Sequence, residues 1–377
     1  MTYLFPNYAR KPFEIVTGSG LTVIDNQGKE YLDFTSGIGV MNLGHHHPAV
    51  EQALAEQARQ LWHMPNLYEN HLQEQVAQAL MGELGYVGFF CNSGAEANEA
   101  AIKLVRKARG KSKIVTFQHS FHGRTYGAMS ATGQAAIHAG FAPLVPDFHY
   151  GVYNDFASLA LVDEEVAGVM VEVIQGEGGV IVAEEAWLQA LTRRCQEVGA
   201  LLVVDEVQTG MGRTGSLFAF QQFGIEPDIF TLAKGLGNGF PVGAMFGKRE
   251  LAASFGPGSH GSTFGGNKLA MAVALAVVET MQAPDFFPQV AQVSRQLAKG
   301  LQELKAPNLC DVRGRGLMWG LEFSDQEELL RVMAAAEANG LLTLRAGEKV
   351  LRLLPALTIT PAEVTQGLEL LAKVLEE

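Results

Sequence analysis

Lys234 follows the apolar run Asp228–Ala233 and opens the glycine-rich stretch Lys234-Gly235-Leu236-Gly237-Asn238-Gly239-Phe240-Pro241. Lysines are ordinarily solvated surface residues. At the end of a buried strand a lysine can be desolvated, shed its proton and form a Schiff base with a carbonyl. Asp205 occupies a similar place, after Ala200–Val204 and before Glu206-Val207-Gln208. A carboxylate there is costly unless it meets a cation or takes part in chemistry. A third segment, Asn92-Ser93-Gly94-Ala95-Glu96-Ala97-Asn98-Glu99, lies between a strand and a helix with apolar positions 97, 101, 104, 105 and 108. Ser93 and Glu96 fit a capping box, and Glu99 is spaced to pair with Lys103. The small residues Gly94 and Ala95 also leave helix-start amides open to an anion such as phosphate. Capped helix and anion cradle are both compatible with the spacing.

Charged residues elsewhere suit carboxylate recognition. Arg124 sits in Phe121-His122-Gly123-Arg124-Thr125, and Arg352 interrupts the apolar strand pattern Val350–Leu354. A guanidinium in an apolar strand implies a carboxylate partner, either structural or from a ligand. Gln175-Gly176-Glu177-Gly178-Gly179 places an acid in a small-residue loop after a strand. Ser262 and Thr263 lie among glycines ahead of the apolar helix Leu269–Met281, as helix caps or as ligand contacts. Gly210-Met211-Gly212-Arg213-Thr214-Gly215 matches G-x-G-x-x-G, with Asp228 near the spacing of a ribose-binding acid. A nicotinamide dehydrogenase is the remote reading this allows. The context opposes it, because five residues, two of them acidic, separate the strand from the first glycine. Arg213 reads as solvated or structural. His45-His46-His47-Pro48 reads as a helix entry with Pro48 in the first turn of a helix to about Trp62, because adjacent side chains diverge. No metal site is expected.

These residues need a scaffold that gathers strand ends. The apolar runs Val87–Cys91, Lys113–Phe117, Val166–Ile174, Ala200–Asp205, Asp228–Ala233 and Val242–Phe246 read as strands buried on both faces. Helical patterns separate them, so an α/β fold with a mainly parallel sheet is expected, its ligands beyond the strands' carboxyl ends. Residues 15–35 alternate like a small antiparallel ribbon. From about Val312 the pattern is strand, helix Asp325–Asn339, strands near Leu341 and Val350, and a last helix from Pro361. A smaller α+β domain built from both termini is expected, with residues 1–45 as its N-terminal part. Residues 46–270 would form the large domain, and 271–377 a connecting helix and the remaining small domain.

Composition narrows the classes. The 377 residues carry 28 Lys+Arg against 40 Asp+Glu, a net charge of −12, with no basic stripe, so nucleic acid is an unexpected partner. No apolar run reaches the ~18 residues of a membrane span. The start MTYLFPNYARKPFEIV lacks the pattern of a secretory signal. Three dispersed cysteines, Cys91, Cys195 and Cys310, support no disulfide framework. A cytoplasmic location is the expectation.

Taken together the segments resemble the class III pyridoxal-phosphate aminotransferases, most closely the acetylornithine branch. The matching residues are NSGAEANE at 92–99, FHGRT at 121–125, GEGG at 176–179, DEVQTGMGRTG at 205–215, KGLGNGFPVGA at 234–244 and HGSTFGGN at 260–267. GKEYLDFTSGIGVMNLGHHHP at 28–48 also fits, so the likeness runs from about Pro6 to the final helix. It implies a fold-type I transferase whose cofactor, pyridoxal 5'-phosphate, supplies the hard chemistry. Lys234 would hold the cofactor and move the substrate proton, and Asp205 would face the pyridine nitrogen. Phe121 and Val207 would cover the two ring faces, with Gln208 near the phenolic oxygen. Ser93, Gly94 and Ala95 would cradle the phosphate, joined by Thr263 from a neighbouring subunit, which implies a homodimer.

The resemblance also assigns substrate contacts. Arg124 would bind the α-carboxylate of N2-acetylornithine, with Ser262 of a partner as a second contact. Arg352 would take the α-carboxylate of glutamate or 2-oxoglutarate, and Glu177 would neutralise it while an ω-amine donor is bound. Ornithine, succinylornithine, succinyldiaminopimelate and 4-aminobutyrate are alternative donors within the class. One departure is visible: relatives read Arg-x-x-Pro-Pro-Leu where this chain has Ala356, and losing that proline should loosen the turn.

Overall fold

The computed structural model describes residues 3–376. Its centre is a seven-stranded sheet in the order Tyr86–Cys91, Gly243–Lys248, Ile229–Leu232, Leu201–Asp205, Val166–Val171, Lys113–Phe117 and Phe148–Gly151. Gly243–Lys248 runs antiparallel to both neighbours, and the other adjacent pairs are parallel. The sheet is the expected mainly parallel one, with one strand, Phe148–Gly151, that the sequence reading lacked. The expected strand Val166–Ile174 ends instead at Val171, ahead of the buried acid Glu172.

The helix Gly94–Arg109 links the first strand to Lys113–Phe117, and Glu185–Val198 links Val166–Val171 to Leu201–Asp205. Residues that follow the parallel strands therefore emerge on one side: Asn92, Glu172, Asp205 and Lys234. The antiparallel strand begins there as well, after Pro241 and Val242. The alanine-rich helix Lys268–Met281 is buried along Ala270, Met271, Ala274, Val277 and Val278, and packs against Pro48–Ala58 and His71–Met81. Its cap is Asn267, whose side chain accepts from Ala270 N; Ser262 Oγ accepts from Gly265 N instead. The helix at Pro48 ends at Ala58 rather than near Trp62.

Two smaller sheets flank this layer. Ile15–Ser19, Thr22–Asp25 and Glu30–Asp33 form an antiparallel ribbon, and Leu341–Leu342 joins it in parallel, so segments from both ends share one sheet. Leu309–Arg315, Met318–Phe323, Val350–Leu353 and Leu344–Ala346 form an antiparallel sheet against the loop at Gly176–Gly179. There Gly347 N donates to Glu177 O, and Arg313 donates to Gly179 O. That docking carries Arg352 to the edge of the central sheet's ligand side. The turn beyond Arg352 is tied down: Leu354 N donates to Phe34 O and Leu357 N to Asn42 O, each at 2.7 Å.

Candidate active site

A cavity of about 400 Å³ opens beyond the carboxyl ends of the parallel strands. Its walls include Ser93, Gly94, Ala95, Phe121, Arg124, Glu177, Asp205, Val207, Gln208 and Lys234, drawn from segments far apart in the chain.

Lys234 stands just after the strand Ile229–Leu232, with φ of 44°. A non-glycine residue in the left-handed region costs on the order of 1 kcal/mol, here held by its surroundings. The next residue must be small, because a Cβ on Gly235 would come within 2.3 Å of Asn42 Nδ2. Loss of solvation lowers the Lys234 pKa to about 8; Arg352 adds to the lowering, while Glu177, Asp205 and Glu172 oppose it. A lysine so placed carries a much larger neutral, nucleophilic fraction near neutrality than an ordinary solvated lysine.

Asp205 is almost fully buried and fully engaged. Its Oδ2 accepts from Asn98 Nδ2 at 2.8 Å and His122 Nδ1 at 2.7 Å, and its Oδ1 accepts from Val207 N at 3.0 Å. Asn98 is itself fixed, donating to His122 O and accepting from Thr231 Oγ1. Such a network keeps a carboxylate oriented inside the protein. His122 Nε2 is buried and has no partner among the described residues.

The helix Gly94–Arg109 begins at the cavity wall. Ser93 caps it by accepting from Glu96 N, and Glu96 reaches back to Asn92 N at 2.8 Å, one residue earlier than in a standard capping box. Helix geometry leaves the Gly94 and Ala95 amides without partners in the preceding turn. A Cβ on Gly94 would lie 2.7 Å from Val207 Cγ1, so glycine lets the valine pack under the helix start. Glu99 does not pair with Lys103: it accepts from Gly127 N and Ala128 N, and Lys103 lies against His260.

Arg352 is 1% exposed, and its Nη1 donates to Glu177 Oε1 at 2.6 Å and to Gln208 Oε1 at 3.0 Å. Burial works to raise the Glu177 pKa, but Arg352 overrides it by charge and hydrogen bond, helped by Lys234 and Gln208, so the carboxyl ends below its ordinary value. Arg124 is exposed at the cavity wall, its guanidinium 5.9 Å from the centre of the Phe121 ring. It makes no ion pair among the described residues. Glu172, unflagged in the sequence reading, also lines the cavity and accepts from Phe121 N at 3.0 Å. Burial, with Asp205 nearby, raises its pKa well above the usual carboxylate range.

Ser262 and Thr263 do not line the cavity of their own chain. Thr263 is exposed, and Ser262 Oγ accepts from Asn92 Nδ2 at 3.2 Å. Arg213 is completely buried, not solvated, donating to Leu317 O, Pro355 O and Asn42 Oδ1. The glycine-rich turn around it is packed shut, a Cβ on Gly212 lying 2.6 Å from Leu357 Cδ1, and Asp228 is occupied by Leu202 N and Lys248. No dinucleotide fits there. His45 pairs with Asp33 and His46 with Glu51, and no metal-binding cluster occurs among the described residues.

The family profile "Aminotransferase class-III" matches residues 4–375. The chain is a class III aminotransferase. It is 55% identical to the acetylornithine aminotransferase of Streptococcus mutans, with all of both chains covered. The structure superposes on ornithine aminotransferase from Toxoplasma gondii with TM-score 0.94 and 34% identity, over 99% of this chain and 92% of that one. For N-acetylornithine aminotransferase from Stenotrophomonas maltophilia the TM-score is 0.84 and the identity 38%, over 98% and 97%. This aminotransferase thus has the fold-type I architecture of its relatives.

Two of the residues that sequence reasoning missed were inside motifs it quoted. Asn98 and His122 belong to NSGAEANE and FHGRT. Glu172 lay inside the expected strand Val166–Ile174, where an acid interrupting an apolar run was the available signal.

Proposed function

We propose that this aminotransferase moves the distal amino group of N2-acetyl-L-ornithine to 2-oxoglutarate, giving N-acetyl-L-glutamate 5-semialdehyde and L-glutamate, a step of arginine biosynthesis. The carrying observation is one lysine served by two unlike arginines. Arg352 is neutralised by Glu177, whereas Arg124, at the cavity wall, makes no ion pair among the described residues. Two substrates must share the site, one with a carboxylate near the reacting amine and one with its carboxylate far from it. A carboxylate that can leave Arg352 solves that problem: with Glu177 in place the guanidinium is neutralised, and with Glu177 away its planar fork can take a substrate carboxylate bidentately.

The cofactor is pyridoxal 5'-phosphate, and the donor set fits it. The unpaired amides of Gly94 and Ala95, beside Ser93, suit the phosphate. Val207, admitted under the helix start by Gly94, and Phe121 are the apolar covers for the ring. The oriented Asp205 would keep a proton on the pyridine nitrogen, and Gln208, whose Nε2 also donates to Glu177, would approach the phenolic oxygen. When bound, the cofactor supplies an electron sink for the electron pair left as a proton leaves carbon. Lys234 would take that proton and return it one position away, which suits a pKa tuned to about 8. Arg124 would orient acetylornithine by its α-carboxylate, in a cavity whose walls also include Phe240 and Pro241.

A homodimer completes this reading. Thr263 and Ser262 would reach a neighbouring subunit's cavity, which accounts for their place outside their own. The exposed Trp62, Leu67, Tyr68 and Phe264 offer apolar surface for such contact. A cytoplasmic setting suits the reaction, and among the described residues no single helix is long and apolar enough to cross a membrane.

The test is the visible spectrum of the purified protein, recorded while N-acetylornithine, ornithine or 4-aminobutyrate is added without a keto acid. The expected result is a yellow band that bleaches fastest with N-acetylornithine. Faster bleaching with another amine would move the donor assignment. Absence of the band after adding pyridoxal 5'-phosphate would refute the role of Lys234.

A further inference from the structure

The Gln208 amide joins both members of the Arg352–Glu177 pair. Arg352 Nη1 donates to Gln208 Oε1 at 3.0 Å, and Gln208 Nε2 donates to the same Glu177 Oε1 that receives the guanidinium, at 3.2 Å. The three groups close a ring. An amide suits that place because one end accepts from a cation while the other donates to an anion. The loop is shaped around it: a Cβ on Gly176 would lie 2.1 Å from Gln208 Oε1, so the glycine beside Glu177 makes room for the amide. The two charged partners are not equally held. The Arg352 side chain is 2% exposed and that of Glu177 29%, so the carboxylate is the one free to move.

We propose that Gln208 is a positioning residue of the substrate gate. It holds Glu177 on Arg352 when no dicarboxylate is present, and it stays on Arg352 when Glu177 leaves. This rests on the reading that Arg352 receives glutamate and 2-oxoglutarate. The bond from Arg352 to Gln208 is common to both states, whereas the bond from Gln208 to Glu177 exists only in the closed one. Removing the amide therefore favours opening by about the worth of one hydrogen bond, on the order of three- to tenfold. Gln208→Glu should act with opposite sign, because a carboxylate that cannot leave keeps Arg352 neutralised.

The experiment uses the protein supplied with pyridoxal 5'-phosphate and, as probe, glutarate, a dicarboxylate with neither amine nor keto group. Calorimetry should show Gln208→Leu binding glutarate roughly three- to tenfold more tightly than the parent, and Gln208→Glu more weakly. In a Glu177→Ala background, Gln208→Leu should change the affinity by less than about twofold, since the closed-state bond is already gone. Single-turnover bleaching should shift toward glutamate over N-acetylornithine by the same factor. A role confined to holding the cofactor would lower both donors together. Equal tightening in both backgrounds, or no tightening in the parent background, would overturn the proposal. A parent protein that transaminates no donor would count against the functional reading, while the glutarate affinities would still judge the gate.

Discussion

Arg352, Lys234 and Asp205 show three ways in which a protein handles a charge drawn out of water. Arg352 is matched by the Glu177 carboxylate, so removing it leaves Glu177 without its cation and, on the proposed reading, the dicarboxylate without its anchor. Arg352→Ala should reduce kcat/KM for the glutamate half-reaction by about 100-fold or more, and that for N-acetylornithine by less than about tenfold. Equal losses in stopped-flow traces would sink the assignment. Lys234 is instead moved toward neutrality. Its folded pKa of about 8 lies below the ordinary 10.5, so the unfolded chain binds the extra proton between those values. The contribution of Lys234 to the stability of the cofactor-free protein then rises with pH across that window. Lys234→Met removes the charge, and the variant should melt at higher temperature than the parent at pH 7, with the gap closing from pH 8 to 10.5. Asp205 is handled in a third way, by donors alone, with His122 and Asn98 fixing one oxygen.

At the scale of elements, the helix Gly94–Arg109 does two jobs with one terminus. Ser93 and Glu96 satisfy its first turn while the amides of Gly94 and Ala95 stay open toward the cavity. Alanine is the better helix former, so Gly94→Ala would ordinarily stabilise. Here the new methyl meets Val207 at 2.7 Å, and the valine must shift toward the proposed ring position. Titration with pyridoxal 5'-phosphate should show affinity weakened by about tenfold, roughly the cost of a modest overpacking clash, with little change in melting of the cofactor-free protein. The turn after Asp205 depends on a different acid. Glu206 is buried and accepts from Ala219 N, Phe220 N and Thr209 Oγ1, and burial pushes its pKa up to about 7 despite those donors. Glu206→Ala would strand two buried amides and should cost about 1–3 kcal/mol in denaturant unfolding.

Across the whole molecule, Arg213 ties the flanking sheets to the central layer. Its guanidinium reaches Asn42 near one end of the chain and the carbonyls of Leu317 and Pro355 near the other, with no carboxylate partner among the described residues. Burial alone therefore lowers its pKa, with distant Asp33 opposing. Pro355 closes the strand of Arg352, and Asn42 fills the space beside Gly235, so this one side chain braces both sides of the cavity. Arg213→Met should destabilise the fold by about 2–4 kcal/mol through its orphaned acceptors, seen as an earlier urea transition. Because the glycine-rich turn around it looks like a nucleotide loop, its actual work becomes visible only when the ends of the chain are folded onto it.

What local sequence determined is what local physics controls. Apolar runs became buried strands, Ser93 and Asp325 became helix caps, and the acid and lysine closing such runs came out at strand ends beside one cavity. Those features depend on a few neighbouring residues, whose burial and backbone hydrogen bonds decide the outcome. The tertiary structure decided which charge met which. Glu177 and Arg352 are 175 residues apart, Gln208 and Arg352 are 144 apart, and Asn98 lies 107 from Asp205. Nothing in the spacing separates a solvated arginine from a buried one, as Arg213 shows, or turns Glu99 from Lys103 toward the amides of another helix. The reason is that a charge drawn out of water is costly unless a partner shares its desolvated surroundings. Packing, not sequence distance, creates those surroundings.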